Sequence, residues 1–182
     1  TYTITSAPSE GSVVNNGDGT FSFSPGADFQ DLAQGETRTV TFTYTATDAH
    51  GAVSEPSTVT IRVAGANDAP VATVDSVVGA EDASVTIDVL ANDTDVDGET
   101  LTVTHVNGVN IAVDGTVSLS DGASVRLNAD GTLSYTPAAN ANGLQSFSYT
   151  VSDGVGGATT ATVEVDLTPV NDGPVSQPDA AS

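Results

Sequence analysis

The sequence predicts an all-β protein made of two tandem antiparallel β-sandwiches. Apolar residues alternate with threonine and serine in segments such as "TVTFTYTAT" (39–47) and "ATVEVDL" (161–167), the two-residue period of a half-buried strand. Asp-Gly turn signals separate these segments, and short strands with turns about every 8 to 12 residues are typical of a sandwich. The chain also nearly repeats itself, which predicts two domains rather than one.

The repeat is visible as three pairs of matching segments. Asn67 and Asn171 are equivalent, so the period is 171 − 67 = 104 residues. A period of this size indicates tandem domains, not a solenoid of short units. The matching segments are "NGDGTFSFSPGA" (16–27) with "NADGTLSYTPAA" (128–139), "FTYTATDAHGA" (42–52) with "FSYTVSDGVGG" (147–157), and "STVTIRVAGANDAPVA" (57–72) with "ATVEVDLTPVNDGPVS" (161–176).

The repeat also sets the expected domain boundaries. Residues 67–99 have no counterpart before Thr1, so the first copy lacks the opening strands that the second copy has. The boundary falls in "AGANDAP" (64–70), a short linker whose end is stiffened by proline. We therefore expect a partial sandwich over residues 1–66, a complete sandwich over 67–170, and a linker or the start of a following repeat over 171–182.

The alternation also predicts which side chains fill the two cores, with threonine and serine on the wet faces. One stretch, "FQDLAQG" (29–35), is compatible with a single helical turn. The expected core of the second sandwich is Val85, Ile87, Val89, Leu101, Val103, Leu133, Tyr135, Phe147, Tyr149, Val151, Val163, Val165 and Leu167. The expected core of the first is Phe21, Phe23, Phe42, Tyr44, Val59, Ile61 and Val63.

The charge balance indicates which partners the chain can have. It has 24 acidic residues against three arginines and no lysine, a net charge of −21. Nucleic acid and anionic membranes are poor partners for such a surface, whereas cations are natural ones. Cysteine is absent, so the fold is expected to be held by its core, by metal, or by both. No apolar run reaches the length of a membrane span, and the chain opens on a strand-like segment, not a signal peptide.

The acid is most concentrated in "NDTDVDGETLTV" (92–103), where Asp93, Asp95 and Asp97 alternate before Gly98 and Glu99. Alternate carboxylates in an extended or turning segment point to one side, and calcium prefers six to eight such oxygen ligands. Bringing these charges together without a cation costs repulsion. The flanks are strands and the twelfth loop position is Thr104, so the segment is not an EF-hand. The alternative is a solvated acidic turn.

Other sequence features argue against catalysis. The only histidines are His50, in a turn, and His105, at a strand end, and neither lies near a nucleophile elbow. The acids cluster in a metal-like spacing, and there is no tryptophan to form a sugar-stacking platform. Aspartates that precede glycine in hairpins are expected to be ordinary turn residues: Asp18, Asp114, Asp121 and Asp130. We therefore expect a protein that is not an enzyme.

The order and spacing of these motifs resemble a known family. The series "NDAP…ED…VLANDTDVDGETLTV…DGTLSYTP…FSYTVSDGVGG…VNDGP" is similar to the cadherin-like and VCBS-type repeats of large secreted bacterial adhesins, the RTX adhesins. The resemblance covers nearly the whole chain. It implies immunoglobulin-like, or cadherin-like, sandwiches in tandem, with calcium at the junctions.

The resemblance also implies two sets of calcium ligands. "NDAP" takes the part of the acidic cadherin linker, "DTDVD" that of the cadherin D-x-D, and "SDGVGG" that of the acidic loop before the last strand. The cluster expected between the domains consists of Asn67, Asp68, Asp93, Asp95, Asp97 and Asp153. The second, expected to be complete only if a further domain follows, consists of Glu81, Asn171 and Asp172.

The function that follows from the resemblance is structural. We expect a calcium-stiffened extender of a bacterial surface adhesin, secreted and extracellular, which supports cell adhesion or biofilm formation. Its partners would be neighbouring repeats, and a glycan or peptide would be bound by another module. The alternatives are a glycan- or peptide-binding region of the same adhesin, the later half of a split domain beside an inserted module, or a first copy that borrows strands from another molecule.

Overall fold

The computed structural model describes residues 1–173, and within them the chain forms strands and turns but no helix. The all-β prediction is thereby confirmed. Of the segment predicted to be a linker or the start of a following repeat, residues 174–182 lie outside the described range. The chain divides into two compact units. Unit 1 comprises Thr1–Ala69, Asp95–Glu99 and Val155–Gly157, and unit 2 comprises Pro70–Thr94, Thr100–Gly154 and the chain from Ala158 onward.

Unit 1 contains five strands in two antiparallel sheets. The larger sheet has the order β1-β4-β5, and β2 and β3 form a separate pair. The long β4–β5 ladder runs from Thr37 opposite Ala64 to Tyr44 opposite Ser57. The strands are β1 (Tyr2–Ser6), β2 (Ser12–Asn15), β3 (Phe21–Ser24), β4 (Thr37–Ala46) and β5 (Ser57–Ala64).

The core of unit 1 is small and depends partly on a loop. Phe29 and Leu32 are buried together with Val40, and Phe23, Ile61 and Val63 pack against them half-buried. The loop forms hydrogen-bonded turns rather than the helical turn that its sequence suggested, with the Leu32 amide donating to the Phe29 carbonyl at 3.2 Å. Strand alternation could not identify these two anchors because they lie between strands. Of the predicted core residues, Phe42 is buried, whereas the other six are only half-buried.

Unit 2 contains nine strands in two sheets. One sheet has the order β10-β11-β12-β7 and the other β6-β14-β13-β8-β9. All pairings are antiparallel except that of β6, which runs parallel to β14 at the edge of the second sheet. The strands are β6 (Asp75–Ala80), β7 (Val85–Ile87), β8 (Thr102–Val106), β9 (Val109–Asn110), β10 (Thr116–Ser118), β11 (Ser124–Leu127), β12 (Leu133–Thr136), β13 (Gly143–Ser152) and β14 (Ala158–Thr168).

A single hydrophobic cluster joins the two sheets of unit 2 into a sandwich. It takes side chains from both sheets, and the rings of Tyr135 and Phe147 stack with centroids 5.6 Å apart. Eleven of the thirteen predicted core residues are buried, and Val85 and Leu101 pack against them half-buried. The core prediction for this unit is confirmed for these residues, because most strands follow the two-residue period. β8 departs from it, with Val103 and Val106 buried and Thr104 and His105 half-buried.

The Asp-Gly hairpins form as predicted at Asp18, Asp121 and Asp130, whereas Asp114 lies between β9 and β10, which belong to different sheets. The Oδ1 atom of Asp130 accepts hydrogen bonds from the Thr132 amide at 3.1 Å and hydroxyl at 2.7 Å, and Asp18 accepts the same pair from Thr20. These bonds to the ionised form lower the pKa of both carboxyls, with the threonine hydroxyl as the largest cause. Asp130 is therefore an ordinary turn residue.

Two buried tyrosines in unit 2 have contrasting hydroxyl environments. The Tyr149 hydroxyl lies 2.9 Å from both the Val89 carbonyl oxygen and Asp93 Oδ2. The Tyr135 hydroxyl is buried and has no hydrogen-bond partner in the described part of the chain. Burial raises the pKa of both phenols, so both remain neutral at ordinary pH.

We expect Tyr149→Phe to lower the unfolding free energy of unit 2 by about 2 kcal/mol, because it leaves a buried carboxylate without its hydroxyl donor. Tyr135→Phe removes a hydroxyl that makes no bond, so it should cost nothing or stabilise by up to about 1 kcal/mol. Urea unfolding followed by circular dichroism measures both. Equal losses in the two variants would show that the hydrogen bonds of Tyr149 do not contribute.

Candidate metal centre

The acidic segment predicted to bind metal folds as a turn that gathers three carboxylates. One carboxylate oxygen from each of Asp95, Asp97 and Glu99 lies within 4.8 Å of the other two. Gly98 makes this possible, because its φ of +82° is a conformation that side-chain-bearing residues rarely adopt. The sequence pattern D-x-D-G-E, residues 95–99, therefore brings its three acidic side chains together.

Hydrogen bonds fix one oxygen of each aspartate and leave the other without a donor. Asp95 Oδ1 accepts from the Asp97 amide at 2.9 Å, and Asp97 Oδ2 accepts from the Asp68 amide at 2.7 Å. Asp95 Oδ2, Asp97 Oδ1 and Glu99 Oε2 are buried and accept no hydrogen bond from any described residue. Buried anionic oxygens without donors are costly, so this arrangement calls for a positive partner.

The electrostatics of Glu99 reflect the same crowding. Burial raises the pKa of its carboxyl, and the neighbouring charges of Asp95 and Asp97 raise it further. Like charges held together in this way disfavour ionisation unless a cation compensates them. The three half-buried carboxylates thus repel one another in the arrangement that the fold imposes.

The geometry fits a calcium ion. Two oxygens bound to the same Ca²⁺ at about 2.4 Å can be at most about 4.8 Å apart, and the three carboxylate oxygens satisfy that limit. Carboxylates are the hard, anionic ligands that calcium prefers. Asp95, Asp97 and Glu99 are therefore the residues of this chain that would hold the ion at this position.

A second acidic group lies in unit 2, where Glu81, Asp82 and Asp172 each bring one carboxylate oxygen within 4.8 Å of the others. Glu81 is 4% exposed and its Oε1 accepts a hydrogen bond from the Val170 amide at 3.1 Å. Asp82 and Asp172 are exposed. Two of the three residues predicted for the second calcium site, Glu81 and Asp172, thus come together.

The other predicted ligands have distinct environments. Asp93 is buried in unit 2, where the Thr73 amide donates to its Oδ1 at 2.8 Å and the Tyr149 hydroxyl contacts both of its carboxylate oxygens. Asp153 is 5% exposed and follows β13 directly. The roles of Asp93 and Asp153 as ligands stay predictions.

The two "ND" pairs contain four predicted ligands, of which Asp172 belongs to the second acidic group. Asn67 and Asp68 are half-buried, and the Asp68 amide bonds to the acidic turn. Asn171 is exposed, and its side-chain amide donates to the Asp172 carbonyl oxygen at 3.4 Å. Their metal ligation also stays a prediction.

The structure adds two residues that the sequence prediction omitted from its ligand sets, Glu99 and Asp82. Both stand beside a predicted ligand, in "DVDGET" and "GAEDASV". The signal was therefore present in the spacing. Acids occupy every second position from Asp93 to Glu99, whereas the predicted ligand set ended at Asp97, the last aspartate of the series.

These strands and sheets define an immunoglobulin-like β-sandwich protein, and comparison with known families identifies the family to which it belongs. Residues 67–166, more than half of the chain, match the bacterial Ig domain, and residues 1–65 match the bacterial cadherin-like domain. The chain belongs to the bacterial Ig domain family. The predicted resemblance to bacterial cadherin-like repeats is confirmed, whereas the VCBS and RTX context stays a prediction.

The family assignment carries general properties. Bacterial Ig and cadherin-like domains are typically extracellular, non-catalytic structural repeats, and cadherin-like domains generally bind calcium. Among residues 1–173, no helix has the length and apolarity that crossing a bilayer requires. No curated protein matches the chain.

Solved structures similar to this chain include a hydrolase, a hydrolase-related protein and a protocadherin fragment. An endo-fucoidan hydrolase from glycoside hydrolase family 107 matches with 22% identity and a TM-score of 0.41, over 94% of this chain and 24% of that one. A nucleoside hydrolase-related hypothetical protein from Saccharophagus degradans matches with 17% identity and a TM-score of 0.41, over 56% and 26%. Protocadherin gamma C5 EC1-3 matches with 14% identity and a TM-score of 0.47, over 92% and 55%. The chain thus spans about a quarter of the two hydrolase-related chains and about half of the protocadherin fragment.

With calcium removed by chelator, we expect Glu99→Gln to raise the melting temperature by about 2–4 °C, because it removes one of three mutually repelling carboxylates. The matched control is Glu55→Gln, at an exposed residue outside both acidic groups. Differential scanning calorimetry in EDTA measures both variants. A Glu99→Gln protein no more stable than the control would mean that the acidic turn is not under electrostatic strain.

Proposed function

We propose that this chain is a calcium-stiffened, tandem structural repeat of a large bacterial surface adhesin. The observation that carries the proposal is the group of Asp95, Asp97 and Glu99. Each of these residues has one buried oxygen that accepts no hydrogen bond from the described residues, and each brings one carboxylate oxygen within 4.8 Å of the other two. The membership in the bacterial Ig family supports an extracellular structural role.

Calcium would replace the repulsion between the carboxylates of the acidic turn with attraction of each carboxylate to the ion. Without the ion, the acidic turn is a centre of repulsion in a chain that already carries a net charge of −21. With the ion, the same oxygens become ligands and the turn is held rigidly. The Asp68 amide in the "NDAP" linker donates to Asp97 Oδ2 at 2.7 Å, so an ordered turn would restrict this end of the linker as well.

The proposed context is a string of such repeats. A series of stiffened sandwiches would project a distal binding module away from the cell and so support adhesion or biofilm formation. Neighbouring repeats would be the direct partners, and a cell-surface glycan or peptide would be recognised by another module. The scaffold itself is proposed to have no catalytic activity, nucleic-acid partner or membrane insertion.

Calcium binding is tested by titration calorimetry on matched Asp→Asn variants. We expect Asp95→Asn to weaken the dissociation constant about tenfold or more, because calcium affinity depends on the number of charged ligands. Asp130→Asn, which changes a hairpin turn, should bind calcium like the wild type. Equal effects of the two substitutions, or no heat of binding in the wild type, would refute the site.

Stiffening is tested by removing the ion. Calcium at about 100 times its dissociation constant should stabilise the protein by about 2.7 kcal/mol, so EDTA should lower the melting temperature. X-ray scattering in EDTA should also show a broader spread of maximum dimensions than in calcium. If scattering and melting were identical in both buffers, the stiffening role would be wrong even where calcium binds.

A further inference from the structure

The outer face of the five-stranded sheet in unit 2 carries two large apolar side chains that its core does not use. Val78 on β6 and Leu144 on β13 are each 67% exposed. β14 lies between these two strands, and Asp166 on β14 is paired with Leu144 on one side and with Val78 on the other. One row across the sheet therefore consists of an apolar side chain, a carboxylate and a second apolar side chain.

The neighbouring row adds a second carboxylate. Glu164 on β14 is paired with Ser146 on β13 and with Ser76 on β6, and all three side chains are exposed. The two rows form an open groove of about 310 Å³. None of the residues that line it belongs to either of the acidic groups found within residues 1–173. The lining residues are Ser76, Val77, Val78, Leu144, Glu164 and Asp166.

The two carboxylates of the groove have no positive partner of their own. Neither Glu164 nor Asp166 takes part in an ion pair within the described part of the chain. Calcium takes about six to eight oxygen ligands, whereas the walls of this groove at Val78 and Leu144 offer none from their side chains. Since side chains two residues apart on a strand are about 6.7 Å apart, the two carboxylates are spaced for two separate cationic groups.

Unit 1 shows that strand pairing does not require this combination of side chains. At the repeat offset of 104 residues, the equivalent of Asp166 is Arg62. Arg62 is paired with Thr39 in the β4–β5 ladder, at the place where Asp166 is paired with Leu144 in unit 2. Matching positions of the two ladders thus hold opposite charges and different neighbours. The apolar and acidic side chains of the groove are therefore a feature of unit 2 and not of the shared framework.

Lysine and arginine have the chemistry that complements this groove, because each combines a long aliphatic stem with a cationic end. The stems would lie against Val78 and Leu144 while the cationic ends meet Glu164 and Asp166. In an extended peptide, alternate side chains point to the same side and repeat at about 6.7 Å, the same spacing as positions 164 and 166 on β14. The matching ligand is therefore an extended segment with basic residues at alternate positions.

Residues 1–182 do not contain such a segment. The sequence has no lysine, and no two of its arginines stand at alternate positions. Two of the three arginines, Arg38 and Arg126, also form ion pairs with acidic residues of their own unit. A second copy of this sequence therefore does not present the required pattern, and the matching occupant is a segment of a different, basic protein.

We propose that the groove on the outer face of β6, β14 and β13 is a docking site for an extended segment of another protein that carries lysine or arginine at alternate positions. Glu164 and Asp166 bind the two cations, and Val78 and Leu144 contact the aliphatic stems. The site gives the chain a protein partner besides its neighbouring repeats. It shares no residue with the two acidic groups, so it is independent of the proposed calcium ions.

The probe is the peptide GTKTKTG, whose two lysines lie on the same side of an extended chain, titrated into the ¹⁵N-labelled protein and followed by NMR. The buffer contains calcium and about 0.15 M salt, which screens general attraction to the net charge of −21. We expect saturable one-to-one shifts confined to amides of β6, β13 and β14. The isomer GTTKKTG has the same composition and charge but places its lysines on opposite sides, so it should bind about tenfold more weakly or worse.

Two double variants with the same change in net charge test the carboxylates. Glu164→Gln combined with Asp166→Asn should raise the dissociation constant of GTKTKTG about tenfold or more, because both cations lose their partners. Glu36→Gln combined with Glu55→Gln removes two charges at exposed residues of unit 1 and should bind the peptide like the wild type. Equal effects of the two double variants would overturn the proposal, since the attraction would then be general.

The apolar walls are tested by Leu144→Thr, which keeps a side chain suited to a strand and changes no charge. We expect binding to weaken about threefold or more, whereas Val109→Thr, at an exposed valine on β9 of the same sheet, should have no effect. Circular dichroism confirms the folding of every variant. The proposal is overturned if GTKTKTG does not saturate, if GTTKKTG binds equally well, or if Leu144→Thr binds like Val109→Thr. It is also overturned if sedimentation shows a dimer of the chain that Asp166→Asn dissociates, because a second copy would then cover this face.

Discussion

Carboxylate oxygens gathered without hydrogen-bond donors are the physical constraint on which the proposed role of this structure depends. A surface with a net charge of −21 resists any fold that brings acids together, yet the acidic turn does so at Asp95, Asp97 and Glu99. The backbone satisfies one oxygen of each aspartate and leaves the other buried and unbonded. A cation would offset that cost, and the proposed calcium site thereby connects the unusual composition to the proposed structural role.

A different buried carboxylate in the same segment accepts hydrogen bonds from the protein. Asp93 is two residues from Asp95, but its oxygens accept bonds from the Thr73 amide and the Tyr149 hydroxyl. Nearby Asp75 is also buried, and that burial, with the charge of Asp93 adding to it, raises the pKa of its carboxyl. Asp93 and Asp95 thus lie in one short segment, but Asp93 accepts hydrogen bonds from the protein whereas Asp95 has one oxygen without a donor. The alternation of acids in the sequence does not distinguish the two.

The two units show how strongly burial depends on neighbouring strands. The same strand patterns give a continuous core in unit 2 and a small core in unit 1, where Phe29 and Leu32 from a loop supply much of the packing. Close packing of that loop requires Gly65, because a Cβ there would lie 2.1 Å from the Leu32 carbonyl oxygen. Unit 1 therefore depends on a loop for packing that strands supply in unit 2.

The sequence by itself determined the strands, the hairpin turns, the repeat and the core of unit 2, because the two-residue period and the Asp-Gly turns are local signals. It also located the acidic segment, since D-x-D spacing is visible in the letters. The tertiary structure alone decided which acids meet: the turn at Gly98 brings in Glu99, and Tyr149, 56 residues from Asp93, binds that aspartate. The tertiary structure also decided how deeply matching residues of the two repeats are buried. Burial depends on neighbouring strands that come from distant parts of the chain, and a local sequence pattern does not show which strands will be neighbours.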